Sequence, residues 1–335
     1  VSSQIDSEIA KARAVINSAN TFLLTCHVHP DGDALGSTMA MAHALKASGK
    51  EVRATFPDPF VIPENLQKSL PGMEILQPKD ELIELGLSFD CVMTFDCGSV
   101  SRLAGLEPLI QSSKTFINVD HHMSNEKFGD INIIDAKAAS SGSVVLAILD
   151  ACEIELNKES AQCMYVALLT DTGRFQFSST DEKVFEQARR LSQFNLPIAQ
   201  LSRWLTEEDP YNFLKLAGEA LSDMELDEKS NLVSAVATKA MQDKYKVSYD
   251  QTEGLIELVR RAKESDVACV VKECIPGEYK VSLRSLGIID VCEIASSYEG
   301  GGHKFAAGFT TMLSPTDIIC QVREKIIQQR ENLKS

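Results

Sequence analysis

The chain has 335 residues, 44% hydrophobic and 24% charged, with 33 basic side chains against 48 acidic ones for a formal net charge of -15. That length and apolar content suit a globular protein of two domains, while the acidic balance excludes a protein that coats long nucleic acid, which needs many Lys and Arg against many phosphates. No apolar run reaches the roughly 20 residues of a membrane helix, and the nine cysteines, none in a C-x-x-C pair, read as reduced and buried rather than as a disulfide framework.

Taken in chain order, the elements alternate. Ile5, Ile9, Ala12 and Ile16 make one helical stripe; residues 21–26 read as a strand, 34–46 as a helix stopped by Gly49, and 52–56 as the next strand. Residues 89–95 and 115–119 are β-branched and aromatic runs bounded by polar residues, with a helix expected over 101–111 between them. Helices are expected over 143–151, 158–169 and 181–194. This alternation predicts an α/β fold with a mostly parallel sheet flanked by helices. Pro197 and Pro210 then punctuate the chain, and strand-like runs at 231–237, 267–272 and 279–283 precede a closing helix over 316–333. The reading divides the chain into residues 1–196, a helical linker over 197–216, and a smaller α/β domain with a mixed sheet over 217–335.

The informative residues follow the strands of the first half. Strand 21–26 runs into His27, His29, Asp31 and Asp33, strand 89–95 ends at Asp96, and strand 115–119 ends at Asp120, His121 and His122. Open parallel sheets bind ligands beyond the carboxyl ends of their strands, so three strand ends bring acids and histidines to one rim. Singly, each is explained as a turn residue, a helix cap or a structural histidine; unrelated turns have no reason to gather so many metal-capable groups. Carboxylates with some imidazole suit Mn²⁺ or Mg²⁺, and two such ions sharing a carboxylate support in-line phosphoryl chemistry. Asp171 is a further acid for the second ion, and Arg174 stands near enough in sequence to meet a phosphate. Gly300, Gly301 and Gly302, with His303 and Lys304 after them, would let backbone N–H groups approach an anion; a plain flexible loop is the alternative. Arg284, after strand 279–283, is another candidate for a phosphate.

His27, Pro30-Asp31-Gly32-Asp33-Ala34-Leu35-Gly36-Ser37, Asp96, Asp120-His121-His122 and Asp171 resemble, in order, the motifs of the DHH phosphoesterase superfamily. Gly300-Gly301-Gly302-His303 with Ala306-Ala307-Gly308-Phe309 is similar to its DHH-associated C-terminal domain. The likeness covers nearly the whole chain and is closest to the cytoplasmic nanoRNases, which degrade very short oligoribonucleotides and in many cases dephosphorylate 3'-phosphoadenosine 5'-phosphate (pAp). It implies two divalent ions per chain, manganese by preference with Mg²⁺ or Co²⁺ as substitutes. One ion would be held by His27, Asp31 and Asp96, the other by Asp33, Asp96, His121 and Asp171. His122 would face the substrate phosphate, Asp120 would orient a histidine, and a hydroxide between the ions would attack phosphorus. Arg174, Arg284 and the stretch from Gly300 to His303 would bind substrate. The resemblance further implies a cytoplasmic homodimer acting on short single-stranded RNA, dinucleotides or pAp, with no membrane and no long duplex as partner. Two departures bear on substrate preference: Arg174 precedes Phe175 with Gln176 beyond it, and Glu299 stands where the family often has Gly. A phosphodiesterase of cyclic di-AMP or linear dinucleotides would share the metal motifs, and an inactive nucleotide sensor is the reading from another class.

Overall fold

The computed structural model describes residues 2–333, which form two compact units divided between Glu208 and Asp209. The first unit runs α1 (Ser2–Ser18), β1 (Thr21–Cys26), α2 (Gly32–Ala47), β2 (Glu51–Thr55), α3 (Glu64–Ser69), α4 (Lys79–Glu84), β3 (Phe89–Phe95), α5 (Glu107–Gln111), β4 (Ser113–Asp120), β5 (Ile131–Ile134), α6 (Ser141–Cys152), α7 (Lys158–Asp171), α8 (Glu182–Ser192) and α9 (Ile198–Thr206). Its strands form one sheet in the order β2-β1-β3-β4-β5, every pair parallel. Phe22, Leu24 and Cys26 of β1 enter the larger core and Leu23 the core on the opposite face, so alternate residues of one strand are buried on both sides. That is why these strands read as continuous apolar runs.

From β1 the chain steps outward to β2, then crosses back to place β3 on the other side of β1. The carboxyl ends of β1 and β3 therefore flank the point where the winding reverses, which is where such sheets open a crevice.

Helix α2 begins at the Asp31 cap, whose Oδ1 accepts from the backbone N–H groups of Asp33 and Ala34 at 3.1 and 3.0 Å. Thirteen of its residues are buried, so it is an interior helix rather than an amphipathic one. Gly36 explains how it packs: a Cβ there would lie 2.8 Å from the Cys163 carbonyl oxygen and 3.0 Å from the Ala167 backbone nitrogen of α7. Helices α2 and α7 can touch backbone to backbone only because this side chain is absent.

Three differences from the expectations bear on the sheet and its rim. The helix expected over 101–111 is split into a 3-10 turn, Val100–Leu103, and α5, because Gly105 takes a left-handed φ of +86° that a helix interior cannot hold. The strand expected over 115–119 runs from Ser113 to Asp120, so Asp120 belongs to the sheet itself. Strand β5 pairs with β4, Ile117 opposite Ile131 and Val119 opposite Ile133; at four residues it is too short to announce itself by periodicity.

The second unit runs α10 (Tyr211–Ser222), β6 (Glu225–Asp227), β7 (Leu232–Ala237), α11 (Lys239–Tyr245), α12 (Leu255–Val259), β8 (Val267–Ile275), β9 (Glu278–Ser285), α13 (Val291–Ser296), β10 (Gly301–His303), β11 (Ala306–Thr311) and α14 (Pro315–Asn332). Its sheet has the order β10-β11-β9-β8-β7-β6, mixed because β7 and β8 are parallel while the other pairs are antiparallel. Both faces are covered: Val267, Cys269 and Val271 pack with residues of α13 and α14, and Ala268 and Val270 with residues of α10 and α12.

Candidate metal centre

The site is built from loops and strand ends of the first unit. His27 follows β1, Asp31 and Asp33 open α2, Asp96 follows β3, and Asp120 ends β4 just before His121 and His122. Asp96 has a left-handed φ of 55°, a conformation Asp tolerates better than most residues and one that recurs at functional sites. Asp171 is the last residue of α7, followed by Gly173, Arg174 and Phe175, all with φ between 55° and 64°.

Three groups of ligand-capable atoms lie wholly within this unit, each with its atoms within 4.8 Å of one another: His27, Asp31 and Asp96; Asp33, Asp96 and His121; Asp96, Asp120 and His122. Asp96 belongs to all three. Asp171 joins through Oδ2, which lies 3.3 Å from His121 Nε2, while Asp96 Oδ1 and Asp33 Oδ2 stand 3.5 and 3.8 Å from the same nitrogen. His27 Nε2 lies 3.5 Å from the other Asp96 oxygen. The six residues read from the sequence as metal ligands thus converge around the two oxygens of Asp96.

The other ring nitrogens are engaged by backbone. His27 Nδ1 lies 2.8 Å from the Val28 carbonyl oxygen and His121 Nδ1 3.2 Å from that of Ala138. Donation of Nδ1–H to these carbonyls leaves each Nε2 as a lone-pair donor turned toward the acids, the arrangement that orients metal-binding imidazoles. His122 differs: its Nδ1 is 2.7 Å from Asp120 Oδ1, so any substrate contact through this ring uses Nε2.

The electrostatics set the carboxylates apart. Burial, with the charges of Asp96 and Asp171, pushes Asp33 well above the usual carboxylate range. Burial, with Asp96 and Asp31, does the same to Asp171. Asp96 is as buried as Asp33, yet the imidazoles of His27, His122 and His121 outweigh that cost and hold it below the ordinary value. His122 is pushed up to about 9: burial opposes its charge, but the hydrogen bond it donates to Asp120 and the charge of Asp96 prevail. Packed carboxylates with imidazoles turned toward them and no thiolate in any of the three groups are a donor set for hard or borderline divalent cations, whose charge would relieve the crowding.

Several positioning roles went unnoticed in the sequence. Asp33 accepts from the backbone N–H groups of Ser141 and Gly142 at 2.6 and 3.0 Å, at the first turn of α6, and from Ser37 Oγ at 2.9 Å. Ser141 Oγ donates to Asp96 Oδ1 at 3.1 Å. Asn125 Nδ2 donates to Asp120 Oδ2 at 2.5 Å and to the Cys97 carbonyl at 3.0 Å. Only Ser37 carried a signal, its i, i+4 spacing from Asp33 on one helix face; Ser141 is 108 residues from Asp33 and could be found only from coordinates.

The substrate candidates are more dispersed. Arg174 sits in the left-handed turn just beyond Asp171, half-buried. Arg284 lies on β9 of the second unit, where its Nε is 3.1 Å from Glu257 Oε1. The glycine run is no free loop: Gly301–His303 is edge strand β10, with Gly301 opposite Gly308, Gly302 opposite Ala307 and His303 opposite Ala306. A Cβ on Gly300 would meet the Gly308 carbonyl at 2.3 Å, so this glycine is required for packing.

Known proteins resemble this chain over most of its length. Residues 21–168 match the DHH family, N-terminal domain, and residues 229–328 the DHHA1 domain. The bifunctional oligoribonuclease and PAP phosphatase NrnA of Thermus thermophilus is 30% identical over 86% of this chain and 83% of its own. The chain belongs to the DHH family. Among its DHH relatives, the Bacillus subtilis protein of the same name is 26% identical over 88% of this chain and 90% of its own. The crystal structure of an exopolyphosphatase-related protein from Bacteroides fragilis superposes with a TM-score of 0.90 at 24% identity, covering 98% of both chains, and shows that the fold is shared. These curated DHH relatives carry the names of phosphoric ester hydrolases, and no described helix of this chain is long and apolar enough to cross a membrane.

Proposed function

We propose that this protein is a divalent-metal phosphoesterase that hydrolyses short oligoribonucleotides and pAp. The observation that carries the reading is the sharing of Asp96 by the His27–Asp31 and the Asp33–His121 groups, since a carboxylate between two cations is what paired-metal phosphoryl chemistry requires. Relatives named as oligoribonuclease and PAP phosphatase support the substrate class.

On this reading His27, Asp31 and Asp96 hold one ion, and Asp33, Asp96, His121 and Asp171 the other. Bound there, two ions such as Mn²⁺, with Mg²⁺ or Co²⁺ as substitutes, would activate a water nucleophile and neutralise charge on the phosphoryl oxygens. The chain's own groups do the rest. Asp120, fully buried and held by Asn125 and the His121 N–H, fixes the ring of His122. With its Nδ1 held by Asp120, the ring of His122 has Nε2 left to meet a phosphoryl oxygen, where a donated N–H would counter negative charge as it develops. Asp33, gripped by three donors, cannot swing away from the centre. Arg174 would take a phosphate beside Asp171. Arg284 and the edge strand of Gly301, Gly302 and His303 would bind the remainder of the nucleotide, and the protein would work as a cytoplasmic homodimer.

The test is a substrate panel resolved by chromatography: a dinucleotide, five-nucleotide RNA, pAp and cyclic di-AMP with the Mn²⁺-loaded protein. The expected result is mononucleotide release from the first two and AMP from pAp. Turnover of cyclic di-AMP alone would transfer the site to a signalling phosphodiesterase, and no turnover by protein carrying its ions would support a sensor.

A further inference from the structure

Arg102 lies outside every motif and carries no role in the site above, yet it touches it. The residue sits in the 3-10 turn Val100–Leu103, its carbonyl accepts the Val28 N–H at 3.1 Å, and its Nη2 lies 2.9 Å from His27 Nδ1. The guanidinium is half-buried and, like those of Arg53, Arg174, Arg261 and Arg323, has no carboxylate partner among the described residues, but it is in contact with a candidate metal ligand, His27. With five donors and one side-chain contact, the guanidinium has donors left over for an anion.

The contact with His27 is conditional. Nδ1 has two neighbours, the Arg102 guanidinium, which only donates, and the Val28 carbonyl, which only accepts. With the ring proton on Nε2, Nδ1 accepts from Arg102; with the proton on Nδ1, that nitrogen donates to Val28 and Arg102 loses its acceptor. A ligand role for His27 Nε2 demands the second arrangement.

We infer that Arg102 is a phosphate-binding residue: when His27 turns its Nε2 lone pair to a cation, the guanidinium is released to take a phosphoryl oxygen of the nucleotide substrate on the His27–Asp31 side. This rests on the metal-centre reading. Arg174 stands beside Asp171, so the two arginines would hold phosphate oxygens on opposite sides of Asp96. That pairing suits substrates with phosphate on both sides of the bond being cut, or two phosphates on one nucleoside.

The test compares wild type with Arg102→Ala and Arg102→Lys, reading Mn²⁺ stoichiometry, KM and kcat on pAp, and equilibrium affinity for the product AMP. The backbone contact to Val28 survives in both variants. Arg102→Ala is expected to keep the wild-type ion count, to raise KM and weaken AMP binding by roughly 10- to 100-fold, and to lower kcat less. Lys should restore only part of the affinity, because it supplies charge without the planar fork. Unchanged KM and AMP affinity with the ion count intact would overturn the inference. So would loss of a manganese ion in Arg102→Ala, which would make Arg102 a support for His27 instead. Failure of the underlying reading would appear separately, in wild type itself, as protein that binds no manganese, and the inference would fall with it.

Discussion

Asp171 and Asp33 show what the centre costs when no cation neutralises it. Both carboxyls are raised in the fold by burial and by neighbouring acids, so the folded state favours their protonated forms while the unfolded chain ionises at the ordinary value. Their contribution to stability is complete at low pH and lost as pH rises toward and past the raised folded values. His122 runs the same way: raised to about 9, it stabilises fully below its ordinary value of 6.5 and ceases to do so as pH climbs through about 9. Asp96, depressed, adds a constant amount above the carboxylate range. In EDTA, Tm should therefore fall between about pH 5 and about pH 9. Asp171→Asn should raise the metal-free Tm at about pH 8 while shrinking the gain on adding Mn²⁺, both measurable by calorimetry. A flat metal-free profile, or a variant that gains as much from Mn²⁺ as wild type, would contradict this account of the carboxylates.

The element that places these residues is the close pair of α2 and α7. Gly36 has no room for a methyl group against Cys163 and Ala167, and Gly32 would set a Cβ 2.5 Å from the Thr170 side chain. These glycines let the first turn of α2, with Asp33, lie beside the last turn of α7, with Asp171. Gly36→Ala should cost about 1–3 kcal/mol by overpacking and should also weaken Mn²⁺ binding, because parting the helices separates Asp33 from Asp171. Denaturant unfolding with metal titration reads both, and a stability loss with unchanged metal affinity would uncouple the packing from the site.

The same elements show what sequence could and could not reveal. The parallel sheet was legible because β1, β3 and β4 are apolar on both faces, and the rim because His27, Asp96 and Asp120 directly follow or end those strands. The break at Gly105 was not legible, since one left-handed residue interrupts an otherwise helical pattern. Nor was the grip of Ser141 on Asp33 and Asp96, which joins residues distant in the chain. The glycines at 300–302 pointed to an open anion loop, whereas the pairing of β10 with β11 is set by Ala306 to Gly308, which no local pattern of the glycines encodes.

At the scale of the whole molecule, a strongly acidic chain is proposed to act on polyanions, and the resolution lies in where its charge is gathered. Asp31, Asp33, Asp96, Asp120 and Asp171 converge on one rim of the first unit, where bound cations would turn a repulsive patch into an attractive one. The surplus of acid elsewhere opposes long nucleic acid, which needs many contacts, more than short nucleotides, which need few. Everything depends on Asp96 standing between two cations. Equilibrium dialysis of wild type and Asp96→Ala against Mn²⁺ tests that directly. Two ions per chain in wild type, with both sites weakened and hydrolysis lost in the variant, is the predicted result; two tightly held ions in the variant, or none in wild type, would contradict it.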